Sequence, residues 1–331
     1  MTLSILTFFL AALLAHYLTP ILRQAAIRFG IVDRPDGKLK THRSPVPYLG
    51  GIAIYLSFLL SLAFTAEFQR EVLGILLAGS IVVLLGLIDD LGVLSPSVKL
   101  AGQVVAVLTL MKAGVTIKLA FLSPWAALPL SFLWLLAVTN AFNLIDIMDG
   151  LAAGVGLISC LVLLGVAIGE ERGTVVTLLA ALAGSLLGFL RYNLDPARIY
   201  MGDTGSLFVG LMLAALAMNN SYTSRNLAAS LSPVVILGVP IFDMLFVMFI
   251  RWRRGIPIMR GSPDHFALRL RKWRLTTRQT VWTSYVSTAV LGLVGIAMML
   301  VDARTALTIL GGTVAAALAL AFYLKKIEMT L

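Results

Sequence analysis

Residues 72–90 read VLGILLAGSIVVLLGLIDD, an apolar run that ends in the paired carboxylates of Asp89 and Asp90. Its uncharged part, residues 72–88, approaches the roughly 20 residues that a helix needs to cross about 30 Å of hydrocarbon. An ionisable group beside hydrocarbon is costly and usually marks a functional site. The stretch therefore predicts a membrane-spanning helix that carries functional groups at its end.

The rest of the sequence has the same apolar character. It has 331 residues, 59% hydrophobic and 13% charged, with a mean hydropathy of +0.96, which excludes an ordinary soluble domain. Because a helix satisfies its own backbone hydrogen bonds, we expect an all-α polytopic integral membrane protein with about eleven transmembrane helices. The least regular predicted spans are residues 100–117, which contain Lys112, and residues 226–250, which contain Asp243. The other predicted spans are residues 3–22, 44–66, 72–88, 119–145, 150–169, 173–190, 204–224, 279–301 and 305–324.

The distribution of basic residues predicts the orientation. Twenty of the 26 Lys and Arg residues fall in loops on one side of the predicted membrane. The positive-inside rule makes this the cytoplasmic side of a bacterial inner membrane, with the amino terminus outside, the carboxyl terminus inside and the acidic motifs in cytoplasmic loops.

The net charge of +10 follows from this topology and from anionic lipid headgroups, and does not indicate nucleic acid. The single cysteine, Cys160, allows neither a disulfide nor a cysteine-based metal site.

The adjacent carboxylates of Asp89 and Asp90 repel each other, so both stay ionised only if a cation lies nearby. A divalent metal would serve, and so would Lys99, ten residues further on. The alternative for an isolated pair of aspartates is a solvated helix end.

A second acidic motif is NAFNLIDIMDG, residues 140–150. Asn143, Asp146 and Asp149 are three residues apart, which predicts that they share one face of a helix. Carboxylate and amide oxygens are ligands that suit Mg²⁺, which typically takes its other ligands from water and substrate phosphates.

A third motif is YMGDTGS, residues 200–206, in which Gly202 and Gly205 flank Asp203 and allow the backbone to approach a ligand closely. We expect Thr204 or Ser206 to cap the next helix, whose amino end would then favour a phosphate. The alternative is a capped turn without a ligand.

The loop VDRPDGKLKTHRSPVPYLGG, residues 32–51, brings Lys40, His42 and Arg43 close to the membrane surface. It is either a positive-inside anchor or a cationic lip for a phosphorylated ligand.

The ordered set GLIDDLG, NAFNLIDIMDGLAAG, YMGDTGSLFVG and VPIFDMLFVMFIRWRRG resembles the motifs of the polyprenyl-phosphate N-acetylhexosamine-1-phosphate transferases, over roughly residues 33–278. This superfamily contains the lipid-linked GlcNAc-1-phosphate transferases and the phospho-MurNAc-pentapeptide translocase. The resemblance implies a phosphoglycosyltransferase that moves a sugar 1-phosphate from a UDP-sugar, expected to be UDP-N-acetylhexosamine, to a polyprenyl phosphate. The products would be UMP and a polyprenyl-diphosphate-sugar, in the first membrane step of cell-surface glycan assembly.

The resemblance also implies roles for single residues. Asn143 and Asp203 are expected to bind Mg²⁺, for which Mn²⁺ can substitute. The expected catalytic residues are aspartates of the quoted motifs: Asp89, Asp90, Asp146 and Asp149. The first pair would orient or deprotonate the lipid phosphate, and the second pair would line the nucleotide side. The predicted substrate-binding residues are Lys40, Asn193, His265 and Arg269.

The stretch SPDHFALRLRKWR, residues 262–274, departs from the superfamily pattern. Members usually carry two or three histidines here, whereas only His265 is present. Arg269 and Arg271 are expected either to take over phosphate contacts or to serve as positive-inside residues.

We therefore predict a single transmembrane catalytic domain over residues 1–331, with a UDP-sugar, a polyprenyl phosphate and membrane lipids as partners. One alternative is a catalytically altered member that acts as a scaffold, which the changed histidine segment would permit. The other is a transporter, whose ionisable residues should lie near the midplane of paired halves.

Overall fold

The computed structural model is almost entirely helical, which confirms the predicted all-α polytopic membrane architecture. The structure describes residues 2–33, 45–92, 94–119, 121–220, 222–223, 226–257 and 263–329. The helices are α1 (Thr2–Arg28), α2 (Gly50–Thr65), α3 (Arg70–Asp90), α4 (Pro96–Ala113), α5 (Pro124–Ile145), α6 (Leu151–Gly169), α7 (Gly173–Asn193), α8 (Gly202–Asn219), α9 (Ser232–Ile236), α10 (Gly238–Arg253), α11 (Phe266–Lys272), α12 (Thr277–Leu300) and α13 (Ala303–Lys325). A 3-10 helix, Leu227–Leu231, precedes α9.

Two short antiparallel strands, β1 (Val32–Asp33) and β2 (Val46–Pro47), flank the basic loop between α1 and α2. The predicted residues Lys40, His42 and Arg43 fall between these strands and lie outside the described residues.

Helix α8 is central to the first of two compact units, Met1–Asn220, where it packs against α2, α3, α5, α6 and α7. Its apolar side chains between residues 207 and 217 are buried. Glycines allow this close packing, because a Cβ on Gly51 of α2 would collide with the backbone of Gly205, and a Cβ on Gly86 of α3 with that of Thr204. Even an alanine at either glycine would push a helix away from the start of α8, which carries Asp203.

The second unit, Ser221–Leu331, is organised around α12, which contacts α9, α10, α11 and α13. Thr276 and Gln279 form a capping box that fixes the start of α12. Val235, Met298 and Ala306 form a small buried cluster in this unit. The single catalytic domain over residues 1–331 stays a prediction.

Within the described residues, eight helices are long and apolar enough to cross a membrane, or nine if a bent pair forms one span. The bent pair replaces the predicted span 226–250, because the chain turns by 74° between Leu227–Ile236 and α10. Pro240, in the first turn of α10, has no N–H with which to continue the preceding helix. Helix α2 has only 16 residues, because β2 occupies the start of the predicted span 44–66. The count of eleven spans and the orientation stay predictions.

Candidate active site

Lys99 of α4 lies among acidic and amide side chains of α3, α5 and α8. Its Nζ is 2.8 Å from Asp89 Oδ2 and 3.1 Å from Asn143 Oδ1, and it also forms an ion pair with Asp203. Asn143 Nδ2 donates a hydrogen bond of 2.6 Å to Asp203 Oδ1 and one of 3.0 Å to Ser206 Oγ. The three acidic motifs therefore meet in one place, and Lys99 supplies the cation that the aspartates require.

Asp90 has different contacts, since it caps the amino end of α8. Its Oδ1 accepts a hydrogen bond from the Asp203 N–H at 2.7 Å, and its Oδ2 accepts from the N–H and hydroxyl of Thr204 at 3.1 and 2.6 Å. Gly202 starts the helix with a φ of 68°, and a Cβ there would lie 2.5 Å from the Asp90 carboxylate. A carboxylate here pairs unsatisfied N–H groups and complements the helix dipole. The prediction that Thr204 or Ser206 caps this helix is therefore wrong.

The prediction that Asn143, Asp146 and Asp149 share one face of a helix is also wrong, because only Asn143 lies in α5. Helix α5 ends at Ile145, and Asp146 leaves the helix with φ −78° and ψ 62°. Helix α6 begins only after Gly150, which has a φ of 76°. Asp146 and Asp149 therefore lie in the turn between two helices, which a three-residue spacing alone cannot distinguish from a continuous helix.

The two aspartates of this turn have different surroundings. Burial, together with the carboxylates of Asp203 and Asp90, raises the pKa of Asp146 well above its ordinary value. Asp149 Oδ2 accepts a hydrogen bond of 2.8 Å from the N–H of Ala197. A nearby cation would therefore stabilise the ionised form of Asp146 more than that of Asp149.

Asn193 is buried and joins two segments of the site. Its Oδ1 accepts a hydrogen bond of 3.1 Å from the Gly150 N–H, and its Nδ2 donates one of 3.0 Å to the Ile199 carbonyl. The side chain therefore holds the turn before α6 against the segment that leads into α8. Its predicted contact with substrate stays a prediction.

Backbone pairing holds the segment before α8 against the chain that follows β2. The Tyr200 N–H donates to the Pro47 carbonyl at 2.9 Å, and the Gly50 N–H donates to the Tyr200 carbonyl at 3.0 Å. The end of the loop that contains Lys40 is therefore fixed beside the YMGDTGS motif.

In the second unit, Asp243 of α10 holds the start of α11. His265 Nδ1 is 2.7 Å from Asp243 Oδ2, and the Phe266 N–H donates to Asp243 Oδ1 at 2.8 Å. Asp243 is fully buried and His265 is 5% exposed. The predicted residue His265 therefore has a carboxylate partner, Asp243, that its position in the sequence does not reveal.

Arg269 is 1% exposed, and its guanidinium is bound by the protein itself. It donates to Asp264 Oδ1 at 2.7 Å and to the Leu324 carbonyl at 3.1 Å, and it also bonds the Ile327 carbonyl. These bonds tie α11 to the end of α13, and the predicted phosphate contact of Arg269 stays a prediction. Arg271 is exposed on the same helix.

The donor set of the Lys99 cluster fits Mg²⁺. Among the described residues, no three His, Cys, Asp or Glu side chains are grouped to bind a metal. Asp89, Asp203 and Asn143 nevertheless converge within reach of a single atom, Lys99 Nζ. Mg²⁺ is commonly bound by one or two carboxylates completed by water and substrate phosphates, so this partial set is of the kind that Mg²⁺ uses, and its binding here stays a prediction.

Comparison with known proteins identifies the family of the chain. The profile described as Glycosyl transferase family 4 matches residues 72–221, which include Asp89, Asn143 and Asp203. The chain is 33% identical over 293 residues to a probable undecaprenyl-phosphate N-acetylglucosaminyl 1-phosphate transferase of Bacillus subtilis, covering 85% of this chain and 81% of that one. It is 30% identical over 348 residues to a decaprenyl-phosphate N-acetylglucosaminephosphotransferase of Mycobacterium tuberculosis, covering 93% and 86%.

A third similarity is to a phospho-N-acetylmuramoyl-pentapeptide-transferase of Halalkalibacterium halodurans, 35% identical over 311 residues and covering 84% of this chain and 92% of that one. The fold and these matches define a multi-pass membrane transferase. The chain belongs to the polyprenyl-phosphate N-acetylhexosamine-1-phosphate transferase superfamily, as its motifs predict.

Proposed function

We propose that the protein transfers a sugar 1-phosphate from UDP-N-acetylhexosamine to a polyprenyl phosphate at the cytoplasmic face of a bacterial inner membrane. The observation that carries the proposal is the convergence of Asp89, Asn143 and Asp203 on Lys99. The relatives in Bacillus subtilis and Mycobacterium tuberculosis are named for polyprenyl-phosphate substrates, which agrees with it.

In the proposed reaction, an oxygen of the lipid phosphate forms a bond to the phosphorus that bears the sugar. The bond from that phosphorus to the oxygen shared with the uridine-linked phosphorus breaks, and UMP leaves with the electron pair. Both reactants are anionic, so they approach each other only in a site that offers positive charge.

Each residue of the cluster has its own proposed role in this reaction. Lys99 offers an ammonium at the cluster centre, and Asp89 beside it would orient the lipid phosphate or accept its proton. Asp203 and Asn143 would hold Mg²⁺ with substrate oxygens, and the ion would supply charge neutralisation at the diphosphate. Asp146, in the turn after α5, would face the nucleotide side.

The test is product formation by purified protein. Radiolabelled UDP-GlcNAc, UDP-GalNAc and other UDP-sugars are offered with polyprenyl phosphate and Mg²⁺, and lipid-linked product is counted. Asp203→Asn should lose turnover at saturating substrate. Asp302→Asn, at the exposed cap of α13, is the matched carboxylate-to-amide control and should keep it.

The same assay separates the alternatives. A scaffold forms no lipid-linked product and catalyses no exchange of labelled UMP into UDP-sugar. A transporter carries UDP-sugar into sealed vesicles without forming lipid-linked product. Either pattern in folded wild-type protein would overturn the proposal.

A further inference from the structure

The imidazole of His265 is held by a buried carboxylate, that of Asp243 in the quoted segment VPIFDMLFVMFIRWRRG. Asp243 lies in the apolar helix α10, is fully buried, and places its two oxygens against two successive residues at the start of α11. A carboxylate in such surroundings is costly unless it is hydrogen-bonded on both oxygens. The His265 Nδ1–H and the Phe266 N–H provide those two bonds.

These contacts determine which nitrogen of His265 is left for another partner. An ionised carboxylate can only accept, so the imidazole keeps its proton on Nδ1. Nε2 has no hydrogen-bond partner among the described residues. In the neutral ring Nε2 is a proton acceptor, and in the charged ring it is a donor to an anion.

Packing that does not involve Asp243 also holds this segment against α10. The rings of Phe242 and Phe266 contact edge to face, with centroids 6.2 Å apart. Arg269 lies over the ring of Phe246, 5.3 Å from its centroid. Loss of the Asp243 carboxylate therefore leaves α11 with its apolar and cation–π contacts.

We infer that Asp243 is a positioning residue that fixes the tautomer and direction of His265, so that Nε2 addresses a phosphate oxygen of a substrate. This inference rests on the proposed function, because it assigns His265 to that reaction. The charged groups of the same unit around this pair are Arg251, Arg254, Asp264 and Arg269, of which Arg254 and Arg269 are bound to Asp264.

Asp243→Asn is the informative substitution because an amide has one acceptor oxygen in place of two. If that oxygen keeps the Phe266 N–H, the amide NH₂ faces His265 Nδ1 and donates to it. The imidazole proton then moves to Nε2, and Nδ1, which faces the amide NH₂, cannot take a second one. The ring can therefore neither accept a proton at Nε2 nor donate to a phosphate as a cation. A loss of about 10- to 100-fold in kcat/KM is expected, by analogy with residues that orient metal-binding histidines.

A double-mutant cycle separates positioning from support of the fold. Asp243→Asn, His265→Ala and the double variant are compared in the lipid-linked product assay, with thermal unfolding of each as the measure of folding. If Asp243 acts through His265, Asp243→Asn costs its full factor in the wild-type background and less than about threefold in the His265→Ala background. Asp243→Glu should recover part of the loss, whereas Asp302→Asn should match wild type.

The KM values for the two substrates identify the phosphate that Nε2 contacts. A rise in KM for the UDP-sugar indicates the diphosphate, and a rise in KM for the polyprenyl phosphate indicates the lipid. Equal losses from Asp243→Asn in both His265 backgrounds, or no loss in a folded variant, would overturn the inference while leaving the transferase activity standing. Absence of product from wild-type protein with every UDP-sugar would instead overturn the proposed function.

Discussion

Asp89 and Asp90 are adjacent in sequence, yet the structure predicts that their substitutions have different consequences. Asp90→Ala removes the carboxylate that accepts from the N–H groups of Asp203 and Thr204 at the start of α8. Loss of a helix cap costs about 0.5–2 kcal/mol, and loss of a negative charge at a helix amino end costs about 0.3–1 kcal/mol more. Local opening of this turn should therefore become easier by about 1–3 kcal/mol, or roughly 5- to 150-fold.

Amide hydrogen exchange measures this opening directly. The Asp203 and Thr204 amides should exchange faster by that factor in Asp90→Ala, and by less in Asp90→Asn, because asparagine keeps one acceptor oxygen. Asp89→Asn is the control, since Asp89 pairs with Lys99 and its substitution leaves the cap in place. If Asp90→Ala lost turnover while exchange at these two amides stayed at the wild-type rate, Asp90 would be a chemical group and the capping explanation would be refuted.

Three other predictions concern topology, metal and pH. A cysteine at Ser95 should be labelled only from the cytoplasmic side and one at Ser221 only from outside; the reverse pattern would contradict the orientation. Removal of divalent ions by EDTA should abolish turnover and Mg²⁺ should restore it in wild type but not in Asp203→Asn, as measured by lipid-linked product. Because the folded-state pKa of Asp146 is raised, its contribution to stability is present at low pH and is lost as pH rises through that pKa. In metal-free buffer at neutral pH, Asp146→Asn should therefore unfold at a higher temperature than wild type, and an unchanged or lower unfolding temperature would count against this explanation.

The sequence was sufficient to predict an all-α membrane protein and the meeting of three acidic motifs, but not the bounds of every helix. Hydrophobic runs of the length of the bilayer leave little alternative to helices, and each motif stands at the end of such a run. Lys99 was identified as a partner for the paired aspartates by its charge and its distance along the chain. Its bond to Asn143 required the structure, because nothing in the sequence shows which helices are neighbours.

What the sequence could not predict depends on backbone direction and on contacts between distant segments. The spacing of Asp146 from Asn143 fits a helix, but α5 ends before Asp146. A cap is usually sought within a few residues of the helix start, whereas the cap of α8 comes from Asp90, more than a hundred residues earlier. Asp243 gave a signal, a lone acid within the apolar segment IFDMLFV, but its partner His265 emerged only from the folded chain.

The charge balance of the cluster indicates why substrate and metal should bind together. Asp89 and Asp203 face the single ammonium of Lys99, so the three groups carry a net negative charge when all are ionised. The Lys99 ammonium has three N–H donors, and in the described part of the chain they are directed to Asp89, Asp203 and Asn143. No donor is then left for a phosphate, and an anionic substrate would meet repulsion. A divalent cation on the oxygens of Asp203 and Asn143 would reverse the sign of the site and free Lys99 for a phosphate oxygen. The same four residues therefore form a closed, net negative cluster by themselves and would form an open, cationic one around a divalent cation.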